Sequence, residues 1–358
     1  GMRNEHLKTE MALGDTDAMD EAMAHVVAGK LPPTAAELES VGSLMALIKP
    51  NGGIRPIGAG SAWRRCAGAT VMRQVADRAR HHFQTTSAAQ FAVGTKAGME
   101  AQVHLTRAVA QAHPDWVCIP ADQVNAFNSL DRKQIIDCVQ ASFPDLLPFV
   151  LQYYAKPGNL VLQLDAPLPA DVVLPRGWQL SESSDLIALL PSEEGCTQGD
   201  PLGTFLYCLA IQPTLESVAA AHPGVIISSF ADDLLVHGPP EQALTAWKQI
   251  RDKLQHVGLQ FKLTALKAWS PSPVHPTLAL AMQEADIKLQ PPGDGFMVLG
   301  TPIGSDTWAA TVVESICMGK REGLAALATI GPGPAQDGLL RYCANAWVSH
   351  LGRTTTPD

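Results

Sequence analysis

The sequence predicts an α+β fold, and three observations predict it. Helical and extended patterns are interspersed without regular strand–helix–strand alternation. Two apolar runs of strand length each end in aspartate, the second in an Asp-Asp pair, and a glycine-rich turn opens a helix between them. No segment approaches the ~20 apolar residues that a membrane-spanning helix needs. The 358 residues, 46% of them hydrophobic, suffice for one large or two ordinary domains with a sizeable core.

Residues 14–29 read as a helix of mixed polarity that Pro32-Pro33 ends. Over 43–57 the pattern is strand, Pro-Asn-Gly-Gly turn, strand, with Leu44 to Ile48 and Ile54 to Ile57 as arms. Residues 61–83 are helical, with Ala67, Val71, Val75 and Ala79 on one face. A further helix spans 98–112. The apolar run Trp116 to Ile119 leads to Asp122, and a helix follows over 131–142. Prolines, glycines and short apolar runs make 160–190 a hairpin or loop excursion. The turn at 195–203 opens a helix to about 221 that Pro213 should kink. Residues 225–236 are two apolar arms around the Asp-Asp pair. A helix over 240–257, strands near 259–263 and 295–303, and a helical tail from 308 in two or three pieces complete the chain.

The seven cysteines form no CxxC pair and no zinc-spaced cluster, so they read as reduced thiols of an intracellular protein, nuclear or cytoplasmic. The N-terminus has neither the basic flank nor the apolar run of a signal peptide, and Gly1 before Met2 reads as a cloning remnant. A net charge of −9 argues against a nucleic-acid partner, but its distribution does not. Residues 1–42 hold eight acids and three bases, whereas 49–80 hold seven bases and one acid. The basic run is either a phosphate-contacting face or a solvated helix face.

Phe230-Ala231-Asp232-Asp233-Leu234-Leu235-Val236 reads as strand, tight acidic turn, strand. Adjacent carboxylates between apolar arms are costly if desolvated and unpaired. A hard divalent cation such as Mg²⁺ removes that cost. The plain alternative is an exposed hairpin turn. Asp122 also ends an apolar strand, and alone it reads equally as a cap of the next helix. Together the two elements offer three carboxylates, enough to clamp two metal ions ~4 Å apart for an in-line displacement. The turn Glu194-Gly195-Cys196-Thr197-Gln198-Gly199-Asp200-Pro201-Leu202-Gly203 allows close backbone approach to a ligand, with a helix N-terminus behind it.

Five motifs in this order resemble the reverse transcriptases of non-LTR retrotransposons: Arg55-Pro56-Ile57, Asp122 to Ala126-Phe127, Gln198 to Gly203, Phe230-Ala231-Asp232-Asp233 and Leu299-Gly300-Thr301-Pro302-Ile303-Gly304. The likeness runs from about Lys49 to at least Gly304, and Leu340-Arg341-Tyr342-Cys343 extends it. It implies a right-hand polymerase fold with an antiparallel palm sheet flanked by helices. In that frame 1–42 is an N-terminal helical extension, 43–112 the fingers, 113–304 the palm with the 160–190 excursion and a 295–304 primer grip, and 305–358 a thumb or partial thumb. It implies RNA-directed DNA synthesis by two-metal nucleotidyl transfer, with two Mg²⁺ ions or Mn²⁺ as an alternative. The partners implied are an RNA template, a DNA or RNA primer and deoxynucleoside triphosphates, with no membrane; oligomeric state is left open. Carried over residue by residue, Asp122, Asp232 and Asp233 are the catalytic metal ligands, joined by the main-chain carbonyl of Gln123. Lys49 and Arg55 hold the triphosphate. Val124, Asn125 and Ala126 line the nucleotide site, where Phe127 is the steric gate against a 2′ hydroxyl. Gln198 and Gly199 face the template and nascent pair, and Leu299 and Gly300 belong to the primer grip.

Two positions depart from the pattern. Pro120 stands two residues before Asp122, where relatives carry a basic residue, and proline cannot donate to a sheet ladder. After the acidic hairpin, Gly258-Leu259 and Trp269-Ser270-Pro271 align, but the Lys-Cys positions read Ala265-Leu266, leaving Lys262 or Lys267 as substitutes for the lysine that protonates pyrophosphate. No endonuclease, zinc-knuckle or RNase H motif is visible, so the chain reads as an excised core or a reduced, domesticated copy. The alternatives are an RNA-binding scaffold that keeps the polymerase fold without its full activity, and an RNA-dependent RNA polymerase, against which Phe127 argues.

Overall fold

A computed structural model describes residues 16–355 apart from 49–51, 170, 175 and 263–265, together with residues 8, 9, 12 and 14. The fold is mixed α+β, and the chain folds into two compact units. One comprises Gly1–His82, Val124–Pro213 and Leu254–Gln260; the other comprises Phe83–Gln123, Thr214–Lys253 and Phe261–Asp358.

The first unit is built on a five-stranded sheet. Strands Gly42–Ile48 and Ile54–Ala59 form the antiparallel hairpin expected from the Gly-rich turn. Strand Gly158–Gln163 adds in parallel to Gly42–Ile48, and Ser184–Ser192 and Gln179–Ser181 follow antiparallel. The 160–190 excursion therefore extends the sheet of the 42–59 hairpin. Helix Ala62–Gln84 buries Ala67, Val71, Val75 and Ala79, the face that a 3.6-residue period selects. The expected end of the N-terminal helix at Pro32-Pro33 needs a correction: helix Asp17–Val27 stops earlier, and Pro33 starts a new helix, Pro33–Ser40. Its fixed φ and missing N–H suit a first helical turn, where no intrahelical acceptor exists.

The second unit carries a four-stranded sheet in the order Ala89–Gln90, Ile226–Phe230, Asp233–Gly238, Val117–Ala121. The last three strands are antiparallel, with Leu234 opposite Ala121 and Asp233 opposite Phe230. Pro120 sits in the terminal strand of this sheet, where a missing donor is tolerated. Its carbonyl accepts a hydrogen bond from Trp247 Nε1 at 3.1 Å. The sheet packs on helix Gly98–Ala112 and on hairpin Gly295–Val298/Thr301–Gly304 through Val103, Cys118, Leu235, Trp269, Phe296, Val298 and Ile303. The segment expected as a strand near 295–303 is thus two strands. At their turn Leu299 (φ 47°) and Gly300 (φ 81°) take the left-handed conformation of a two-residue hairpin loop. No helix among the described residues is long and apolar enough to cross a membrane.

Candidate active site

In the second unit the acidic turn joins strands Ile226–Phe230 and Asp233–Gly238. Ala231 takes φ 53°, an uncommon value for a residue with a Cβ. Buried Gln90 supports it: Gln90 Oε1 accepts from the N–H of Ala231 (3.1 Å) and of Ala92 (3.0 Å), while its Nε2 donates to Ser229 Oγ (2.9 Å). Gln102, fully buried on helix Gly98–Ala112, donates from Nε2 to the Asp233 carbonyl at 3.0 Å. Two glutamines thus fix the backbone under the carboxylates. Sequence reading missed both, since an isolated glutamine carries no motif; buried amides are informative only once burial is known.

Asp122 follows the end of strand Val117–Ala121, which pairs with Asp233–Gly238. The Asp233 carboxyl is pushed up to about 6 by burial first, then by the negative charges of Asp232 and Asp122, with Lys262 acting the other way. The Lys262 ammonium donates to both Asp122 carboxylate oxygens, at 2.8 and 3.0 Å, and its backbone N–H donates to the Asp122 carbonyl at 2.9 Å. Of the two candidate lysines, Lys262 therefore engages the carboxylates, while Lys267 is an exposed residue of strand Leu266–Ala268. Among the described residues no three carboxylate, histidine or cysteine side chains are gathered tightly enough to hold a metal ion. The charge set nevertheless suits one: like charges raise a neighbour's pKa when no cation offsets them, and all three donors are hard oxygens. Leu299 and Gly300 are held from behind by His350, whose Nε2 contacts the Leu299 carbonyl (2.9 Å) and Thr301 Oγ1 (3.1 Å).

In the first unit Asn125 (φ 48°) starts the short helix Ala126–Ser129. The Phe127 ring stacks on buried Tyr207, with centroids 4.7 Å apart and planes 18° from parallel, and stays half-buried. The Phe127 carbonyl accepts from the Cys196 N–H at 2.6 Å, and the Leu130 carbonyl accepts from Gly195 at 2.7 Å. Gly195 (φ 64°) tolerates no side chain, since a Cβ would lie 2.2 Å from that same Phe127 oxygen. Gln198 lines a cleft of about 330 Å³ with Pro56, Gly58, Asn128, Trp178 and Glu194. Exposed Gly199 (φ 111°) passes so close to Gly58 that a Cβ would meet the Gly58 carbonyl at 2.7 Å.

Gln123 is buried, and Val124 is half-buried. Arg55 is exposed on strand Ile54–Ala59 opposite Leu47 and makes no ion pair with a described residue. Lys49 and Ala265 lie outside the described residues. The expectation for the basic run needs correcting at Arg64. Arg64 is buried against Asp200 at 2.7 Å, Arg78 pairs with Asp145 at 2.7 Å, and Arg80 pairs with Asp77 at 3.2 Å. Buried Arg64 is therefore no part of a phosphate-facing surface, whereas Arg78 and Arg80 stay exposed in weak surface pairs.

Comparison with known proteins gives the class. The family model described as reverse transcriptase (RNA-dependent DNA polymerase) matches residues 47–275, more than half of the chain, from the first hairpin through both carboxylate elements. The chain belongs to this family. Among curated proteins it is similar to the retrotransposable element SLACS 132 kDa protein of Trypanosoma brucei gambiense, at 25% identity over 259 residues. That alignment covers 71% of this chain and 19% of the relative, so the chain spans about a fifth of that protein's length. Among solved structures, telomerase from Candida albicans in complex with a TWJ fragment of telomeric RNA gives a TM-score of 0.49 at 10% identity, covering 78% of this chain and 47% of that one. Apo telomerase from Candida tropicalis, truncated from its C-terminal domain, gives 0.44 at 11% identity, covering 63% and 49%. The assignment rests on the family match and not on these likenesses.

Proposed function

We propose that the chain is an RNA-directed DNA polymerase that extends a primer 3′ hydroxyl with deoxynucleoside triphosphates on an RNA or DNA template. The observation that carries the reading is that Asp122, Asp232 and Asp233 stand at the ends of neighbouring strands, where burial first and then the charges of Asp232 and Asp122 push the Asp233 carboxyl up to about 6. Crowded acids next to a tight turn are costly unless a cation is part of the working state. These three carboxylates, with the Gln123 carbonyl, would hold two Mg²⁺ ions, Mn²⁺ being an alternative. When bound, the metal supplies charge neutralisation at the phosphates and lowers the pKa of the attacking hydroxyl.

The chain's own residues do the rest. Lys262 keeps Asp122 charge-balanced and must release it for the carboxylate to serve as a ligand; once released, its ammonium is a proton source for the departing pyrophosphate. Arg55, with Lys49, binds the triphosphate through charge-assisted hydrogen bonds. Phe127, braced by Tyr207, excludes a 2′ hydroxyl, and Val124, Asn125 and Ala126 shape the floor beneath the sugar. Gln198 and Gly199 bear on the nascent pair, and the Leu299–Gly300 turn holds the primer end. The test is primer extension on an RNA template with Mg²⁺ or Mn²⁺, wild type against Asp232→Asn. Extension by the wild type and none by a folded variant is expected; equal rates overturn the ligand assignment.

A further inference from the structure

Within the first unit, two buried arginines grip the glycine-rich turn from opposite ends. Arg132, on helix Arg132–Ser142, reaches its entrance. Its Nε donates to the Gly195 carbonyl (3.2 Å), and its Nη2 donates to Ser192 Oγ (2.9 Å) and the Glu194 carbonyl (3.4 Å). Its Nη1 donates to the Lys156 carbonyl at 3.3 Å. Arg64, on helix Ala62–Gln84, reaches its exit, where Nη2 meets Asp200 Oδ2 at 2.7 Å. The Tyr154 hydroxyl donates to the same oxygen at 2.7 Å, and Asp200 Oδ1 accepts from the Leu202 N–H at 2.9 Å, just before helix Gly203–Ala221. The Tyr154 ring lies near both cations, 5.5 Å from Arg64 and 5.4 Å from Arg132.

This arrangement is dear in energy. Burial opposes both charges; Asp200 and the two tyrosines more than offset it for Arg64, whereas the Arg132 pKa is lowered. Arg132 makes no ion pair among the described residues and is held by neutral oxygens. A core of apolar side chains would fold at lower cost than buried guanidiniums. What the arginines supply is geometry: a planar fork with donors in fixed directions joins chain segments that no sheet ladder joins. Between the two grips run Cys196, Thr197, Gln198 and Gly199.

We propose that Arg64 and Arg132 are positioning residues that fix the 192–203 turn so that Gln198 and Gly199 meet the nascent base pair in a preset register. The base-pair part rests on the polymerase reading given above; the clamp itself does not. A fixed wall favours the correct pair because a bound geometry set in advance costs no ordering at the moment of reaction.

The test uses the full chain with Arg132→Lys and Asp200→Asn, which act on opposite ends of the turn. Two readouts are taken: amide hydrogen exchange, with helix Gly98–Ala112 as internal control, and steady-state kinetics with deoxynucleoside triphosphates. Each variant should exchange the 195–203 amides about tenfold faster or more, with the control helix unchanged. Nucleotide KM should rise about tenfold while kcat and primer–template Kd stay within about twofold. If one variant fails to fold, the other decides. Unchanged exchange in the turn overturns the clamp, and a loosened turn with unchanged KM overturns its positioning role. If the wild type extends no primer, the polymerase reading fails, and exchange still decides the clamp.

Discussion

The acidic turn of the second unit and the glycine-rich turn of the first satisfy their charges in opposite ways. Around the acidic turn, three carboxylates face one lysine, and Asp233 is pushed up to about 6. Around the glycine-rich turn, every grip is answered: Asp200 takes Arg64, Tyr154 and the Leu202 N–H, and Arg132 has four oxygens. The first region leaves like charge unbalanced within this chain, and the second balances its charge with its own residues. Excess like charge near a surface is a binding function held in reserve, while satisfied buried charge is a way to hold backbone still.

The largest effect should come from the unbalanced turn. Asp232→Asn and Asp122→Asn should each lower single-turnover extension by about a thousandfold or more, since loss of one ligand charge removes metal-borne stabilisation. Asp233→Asn should be milder, and melting curves should show all three folded.

Next is the balanced turn, where shape decides. Gly195→Ala forces a Cβ onto a carbonyl 2.2 Å away at positive φ. A destabilisation of about 3 kcal/mol or more is expected in thermal or urea unfolding. A near-neutral result would mean that the turn yields and is not preset.

Acidity should separate two groups on the same strand. Fully buried His237 has its pKa lowered to about 4 from 6.5 by burial. A depressed folded pKa means stability that is full above 6.5 and lost as pH falls toward 4, about 3 kcal/mol in all. Asp233 has the reverse sign: its raised pKa favours the folded state below 3.8, and that advantage is lost as pH rises through about 6. Melting from pH 3.5 to 8 should show His237→Gln flattening the acid limb. Asp233→Asn should raise Tm progressively from about pH 4, with the full gain above pH 6.

The smallest effect sharpens the role of the aromatic. Phe127→Ala should raise the ratio of ribonucleotide to deoxynucleotide kcat/KM by about tenfold, and loss of the Tyr207 stack should cost about 1 kcal/mol. Lower stability with an unchanged ratio would make Phe127 a packing residue.

Much of this was legible because it is periodic or local. Helix Gly98–Ala112 has the bounds its pattern predicts, and the apolar arms around Asp232 and Asp233 are strands. What escaped has two physical causes. Three unexpected helices open on or beside proline, Pro33–Ser40, Leu147–Tyr154 with Pro148 and Pro276–Gln283, where proline read as a breaker hides a helix start, while Pro240–Gln255 was legible from the periodicity behind its proline. Tertiary partners were the other cause. Nothing near Arg64 in sequence announces Asp200, 136 residues away, so a buried clamp looked like part of a phosphate-binding face. Gln90 and Gln102 were invisible for the same reason.

The amide of Gln90 has a consequence for anyone who would transplant this chemistry. The sequence from Phe230 to Leu235 carries the carboxylates but not the instruction that bends them. Ala231 holds its left-handed conformation with an acceptor lent by a strand 141 residues earlier. A grafted hairpin would bring the acids along and leave the bend behind, so a minimal design must import residues 89–92 as a second, separate fragment.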